Sequence, residues 1–182
     1  MRSSPSSALS LRVVTLCTGN VARSVMLGHM LSTLSASNDA HWHLRSAGTH
    51  VIEGSAMSGR TRDALLSVDE LGEHHYGAHR SHQVDEEDVE WATVLLCAEA
   101  DHVKFVRRHF AAHANKAVSL HQFVRFAPLD NPFAEQLATV VAMEPDASFD
   151  VEDPAGGDDA TYRACARKLW ELAQAFVTIV GD

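Results

Sequence analysis

The run Leu11 to Leu16 (LRVVTL) is apolar and β-rich, and it passes without a break into Cys17-Thr18-Gly19-Asn20-Val21-Ala22-Arg23-Ser24. From Ser24 onward the apolar residues Val25, Met26, Met30, Leu31 and Leu34 fall close to helical spacing. Strand, tight loop and helix in that order make the first half of a crossover unit, so the following strand is expected to run parallel to the first.

The remainder of the chain keeps alternating. His41 to Ser46 (HWHLRS) has strand periodicity and ends in Ala47-Gly48-Thr49, and Arg60 to Leu71 reads as a helix stopped by Gly72. Asp85 to Trp91 suggests a short acidic helix or turn, and Ala92 to Ala98 a strand covered on both faces. Asp101 to His113 follows as a helix and Ala117 to Leu120 as a short strand. Asn131-Pro132 opens an apolar helix through Met143, and Asp158 to Val180 forms a terminal helix with Tyr162, Cys165, Leu169, Leu172, Phe176 and Val180 on one face. The pattern predicts an α/β, doubly wound three-layer fold with a central sheet of about four parallel strands. A length of 182 residues suits one domain over 11–182, preceded by a disordered tail at 1–10 that lacks the apolar centre of a secretory signal.

Charge and cysteine content narrow the function classes. The formal charge of −9 lacks the basic footprint of a nucleic-acid binder. No apolar run reaches the ~20 residues of a membrane helix. Three widely spaced cysteines, Cys17, Cys97 and Cys165, are not a disulfide framework and suit a reducing cytoplasm. His79-x2-His82 and His109-x3-His113 have no completing Cys or carboxylate set, so neither a metal nor another cofactor is expected.

The loop between the first strand and helix carries the chemistry. Its length lets backbone N–H groups converge on a tetrahedral anion, with the helix dipole behind them. Gly19 offers free dihedrals and Asn20 tolerates a left-handed conformation. Arg23 can clamp two phosphoryl oxygens while Cys17 attacks in line from the base. The same positive environment favours thiolate over thiol. The leaving oxygen then needs a proton donor, and Asp153, followed by Pro154 and the flexible Gly156-Gly157, is the best candidate. Glu152, Asp158 and Asp159 read as solvated carboxylates and helix N-terminal charges.

Taken together, CTGNVARS, SAGT (Ser46 to Thr49), AHRSHQ (Ala78 to Gln83) and VEDPAGG resemble, in order, segments of the low-molecular-weight protein tyrosine phosphatase family, bacterial branch. The resemblance implies a metal-independent phosphatase that hydrolyses phosphotyrosine and other aryl phosphates through a cysteinyl-phosphate intermediate. It assigns Cys17 as nucleophile, Arg23 as phosphate clamp and Asp153 as general acid. Thr18, Gly19, Asn20, Val21, Ala22 and Ser24 would form the phosphate loop, with Ser24 hydrogen-bonding the Cys17 sulfur. Asn20, Ser46 and His79 would hold the loop in shape. The partner would be a phosphorylated protein or a small phosphomonoester, and phosphate or sulfate is expected to fit the loop.

Three departures from the family pattern stand out. Ala22 replaces a second loop cysteine, Ala155 and Gly156 stand where relatives carry aromatics, and the segment HVIEGS supplies no pocket ring. Two other activities share the fold. Protein-arginine phosphatases resemble the chain in CTGN and DP-x-GG but place Thr where Val21 stands. Arsenate reductases resemble it at Cys97, yet AEADHVKFV lacks their next cysteine, so only an external-thiol mechanism fits; Cys97 reads as core. A non-catalytic phosphoprotein-binding module is the reading outside enzymology. The stretch Asn131 to Phe149 exceeds the expected connection and reads as either a lid or an interaction surface.

Overall fold

The computed structural model describes residues 10–38, 40, 42–72 and 74–181; nearly all of the expected tail lies outside them, as does His41 at the start of the expected second strand. Four strands, β1 (Arg12–Cys17), β2 (His43–Gly48), β3 (Val94–Cys97) and β4 (Ala117–Ser119), form one parallel sheet in the order β2-β1-β3-β4. Among the described residues seven α-helices are interleaved: α1 (Arg23–Ser37), α2 (Gly59–Leu66), α3 (Glu86–Trp91), α4 (Ala100–His109), α5 (Leu120–Phe126), α6 (Phe133–Val141) and α7 (Asp159–Gly181).

Strand alternation builds two cores. Val13, Cys17, Val94, Leu96 and Val118 face one side, packing with Met26, Leu27, Met30 and Leu31 of α1 and Leu169, Trp170, Ala173 and Phe176 of α7. Val14, Leu16, Leu95, Cys97 and Ala117 face the other, against Val89 of α3 and Val103 and Val106 of α4. The sheet is therefore wound on both faces, as the alternating pattern predicts. Among the described residues no helix is long and apolar enough to cross a membrane.

Several boundaries differ from expectation for local reasons. The helix expected over Arg60 to Leu71 ends at Leu66, because the Ser67 hydroxyl donates to the Ala64 carbonyl at 2.6 Å and Val68 turns extended. Gly72, at φ 70°, ends the 3₁₀ turn Asp69–Leu71 instead. α4 stops at His109, where Phe110 leaves helical geometry, and residues Ala111–Lys116 form a 3₁₀ segment. α5 lies where no helix was expected; Ser119 caps it, and seven residues are too few to show a period. The stretch Asn131 to Phe149 is a packed layer: Leu137 and Val140 of α6 enter the larger core, and Arg107 donates to the Val141 carbonyl at 2.8 Å.

Candidate active site

In a parallel sheet the carboxyl ends of all strands share one edge, which is where side chains from distant parts of the chain can meet. β1 ends there at Cys17, β2 at Gly48 and β3 at Cys97. The loop Thr18 to Ala22 curls from β1 into α1 with its carbonyls turned outward. Thr49 N donates to the Cys17 carbonyl and His50 N to that of Thr18, both at 2.9 Å. His79 Nε2 donates to the Asn20 carbonyl at 2.7 Å, and Thr61 Oγ1 to that of Val21 at 2.9 Å. Among the described residues, no protein acceptor takes the N–H groups of Gly19 to Ala22, as an anion cradle requires.

The left-handed residue of the loop is Asn20, at φ 52°. Its side chain compensates the conformation, donating to Ser24 Oγ at 2.8 Å and Ser46 Oγ at 3.0 Å while accepting from His82 N at 2.9 Å. Gly19 has no positive φ, contrary to the role expected for it; the glycine that geometry requires is Gly48. A Cβ on Gly48 would stand 2.5 Å from the Thr18 carbonyl oxygen and 3.0 Å from Asn20 N. Ser24 Oγ accepts from Asn20, so its proton is free to donate to Cys17 Sγ at 2.9 Å. That bond fixes the Cys17 sulfur at the base of the loop, beside the start of α1. His79 is kept neutral because burial lowers its pKa, outweighing the Asn20 carbonyl.

Arg23 is 1% exposed, and a buried guanidinium must be paired. Its Nη1 contacts the Glu99 carboxylate and donates to the Val151 carbonyl at 2.9 Å. Its Nη2 donates to Asp153 Oδ2 at 2.7 Å and approaches Thr18 Oγ1 at 3.5 Å. Asp153 Oδ1 accepts from Ala155 N at 3.0 Å, the Gly157 N–H closes a turn onto the Pro154 carbonyl, and Gly156 takes φ 82°. The acid loop is tied to the sheet edge by Val151 N donating to the Ala98 carbonyl at 2.9 Å. The loop Cys17 to Ser24, Ser46, His79 and Asp153 therefore meet at one place.

Two residues that sequence reasoning missed stand beside them. Glu99 pairs with Arg23, and His102, 3% exposed, lies 2.9 Å from Thr18 Oγ1 through Nε2. The signal was present as Glu99-x2-His102 directly after β3, on the edge shared with Cys17. Around the mouth Ile52 is 82% exposed and Ala155 and Gly156 are exposed, so none of these three positions supplies an aromatic wall. The ligand atoms of His82, Asp85 and Asp88, and of Glu86, Glu90 and His113, come together, which sequence spacing did not indicate. The first group is already engaged, since Arg45 Nη1 meets Asp88 at 3.3 Å.

The family model described as low molecular weight phosphotyrosine protein phosphatase matches residues 12–140. A protein-arginine phosphatase of Geobacillus stearothermophilus is 29% identical over 161 residues, covering 88% of this chain and 90% of that protein. Among solved structures, the YwlE arginine phosphatase from the same organism superposes with TM-score 0.70 at 28% identity, covering 91% of this chain and 90% of its own. A low molecular weight protein tyrosine phosphatase from T. tengcongensis gives TM-score 0.73 at 26% identity, with 92% and 97% covered.

Proposed function

Because the chain belongs to the low molecular weight phosphotyrosine protein phosphatase family, we propose that it hydrolyses phosphate monoesters without a metal, through a phosphocysteine on Cys17. The observation that carries this reading is Arg23, buried and shared between the Cys17 loop and Asp153. A bound dianion takes the place of the Asp153 carboxylate on Nη2 and frees that group to act. The Cys17 thiolate attacks phosphorus in line, the P–O ester bond breaks, and protonated Asp153 passes its proton to the leaving oxygen. Water then attacks the phosphocysteine, Asp153 takes the water proton, and the P–S bond breaks to release phosphate. Arg23, the loop amides and the α1 dipole hold the negative charge that a metal would otherwise hold.

Phosphotyrosine and other aryl phosphates are the substrates of the first reading, in line with the family and with aliphatic Val21. Phosphoarginine is the second reading. The similarity to a protein-arginine phosphatase favours it, as does a mouth without rings at Ile52, Ala155 and Gly156. The partner is then a phosphorylated protein or a small phosphomonoester, and phosphate or sulfate occupies the loop. The unpaired thiols Cys17, Cys97 and Cys165 suit a reducing compartment such as the cytoplasm.

A panel of phosphotyrosine, phosphoarginine, phosphoserine and arsenate, with Cys17→Ser as control, tests the proposal. Phosphotyrosine is expected to be turned over in the presence of chelator, and Cys17→Ser is expected to abolish turnover while retaining phosphate binding. Activity that survives Cys17→Ser, or that chelator removes from the wild type, overturns the mechanism. Preference for phosphoarginine replaces the first substrate with the second.

A further inference from the structure

The side chains of Thr18 and His102 have no part in the chemistry above, yet their geometry is tightly determined. Glu99 N, an obligate donor, lies 3.1 Å from His102 Nδ1, so Nδ1 is the unprotonated nitrogen. Burial, reinforced by the Arg23 charge, lowers the pKa of the ring to about 4, and near neutral pH its single proton resides on Nε2. Nε2 therefore donates to Thr18 Oγ1 at 2.9 Å, and Arg23 Nη2 approaches the same oxygen at 3.5 Å. With its lone pairs engaged, the Thr18 hydroxyl is left as a donor, and among the described residues no protein group accepts its proton. It stands beside the guanidinium nitrogen that holds Asp153.

We propose that His102 is a positioning residue that turns the Thr18 hydroxyl into a hydrogen-bond donor to the phosphoryl group of the substrate. The inference rests on the reading of Cys17 to Ser24 as the phosphoryl-transfer loop. The plainer role for His102 is to cap α4 through Nδ1. The two roles use different nitrogens and so can be separated. Asparagine places a polar atom near Nδ1 and keeps the cap, whereas glutamine places its amide near Nε2 and keeps the donor to Thr18.

The experiment measures the dissociation constant of inorganic phosphate, the KM for an aryl phosphate and the melting temperature of the full chain. His102→Asn is expected to weaken phosphate roughly tenfold or more, the worth of one hydrogen bond to a charged acceptor, and to raise KM with little change in melting. His102→Gln is expected to recover most of that affinity while melting lower. Thr18→Val is expected to match His102→Asn, with the double variant no weaker than either, and Thr18→Ser to restore binding. Phosphate affinity within twofold of wild type in His102→Asn, or affinities that simply follow melting temperature, overturns the inference. If the His102 variants fail to fold, Thr18→Val decides, and wild-type affinity there overturns it. A wild type that neither binds phosphate nor cleaves the aryl phosphate overturns the phosphoryl-transfer reading itself.

Discussion

In the proposed mechanism Asp153 serves two states with one side chain. With its Oδ2 on Arg23 Nη2 at 2.7 Å, the carboxylate occupies the guanidinium edge that a substrate dianion needs. In the proposed reaction an arriving dianion displaces that carboxylate from Arg23 and leaves Asp153 beside the leaving oxygen as the proton donor. A phenolate leaving group, with pKa ~10, depends on that proton, so Asp153→Ala is expected to lose roughly 10²–10⁴ in turnover. An activated leaving group of low pKa is expected to lose far less. Steady-state rates on the two esters check this; equal losses would remove Asp153 from the role of acid.

At the scale of elements, the end of β2 is pressed against the Cys17 loop. Gly48 N donates to the His82 carbonyl and the Gly48 carbonyl accepts from Val84 N, both at 2.9 Å, so the segment has no room to withdraw. A methyl group at Gly48 would meet the Thr18 carbonyl oxygen and Val51 Cγ2, each at 2.5 Å. Gly48→Ala is therefore expected to cost about 1–3 kcal/mol of stability and to displace the loop, lowering turnover at least tenfold. Thermal melts paired with kinetics check it; a variant with wild-type rates would show that the loop is not set by β2.

Strand geometry also bears on oxidation. Cys97 pairs in register with Leu16 and shares its face, whereas Cys17 points to the opposite core. Cys97 thus lies across the sheet from the proposed nucleophile, and burial pushes its thiol far up. Cys165 is likewise buried on α7, with burial as the main cause of a pKa pushed up to about 12. With Ala22 in the loop and Cys97 across the sheet, Cys165, which shares the Cys17 core and feels its charge, is the thiol that would have to trap a sulfenic acid on Cys17, and burial disfavours its thiolate. Hydrogen peroxide is expected to inactivate the enzyme with poor recovery by dithiothreitol. Rapid full recovery with a mapped intramolecular disulfide would contradict this.

For the molecule as a whole, buried His102 and half-buried His29 are expected to set the acid limit of stability. Burial lowers His29 to about 4, helped by the nearby His74 and His79, and burial with Arg23 does the same to His102. Both rings prefer the neutral form when folded, while the unfolded chain takes up a proton near pH 6.5. Their contribution is therefore intact above about pH 6.5 and is lost as pH falls toward 4. His82 has the opposite sign: burial alone would lower its pKa, but Glu53 and Asp88 outweigh it and raise it. The melting temperature is expected to drop by several degrees between pH 7 and pH 4.5. His29→Gln is expected to shrink that pH difference whatever it does to the absolute melting point, and an unchanged difference would assign the acid sensitivity elsewhere.

By itself the sequence determined the alternating elements and the parallel sheet and singled out Cys17, Arg23 and Asp153 as candidates, because these follow from local signals: apolar period, turn residues and a loop of the right length between strand and helix. Helix ends such as Leu66 and His109 were not legible, since a Ser67 hydroxyl bond or the geometry at Phe110 decides them one residue at a time. Nor were the partners of the buried Arg23 charge all legible. Glu99 and His102 sit 76 and 84 positions along the chain from the groups they touch. Only the shared carboxyl edge of β1 and β3 brings them to Arg23 and Thr18, and the same edge makes Gly48 the indispensable glycine rather than Gly19. Chemistry that depends on which residue type is present is written locally; chemistry that depends on which groups share a buried charge or a backbone clash exists only once the sheet has closed the distance.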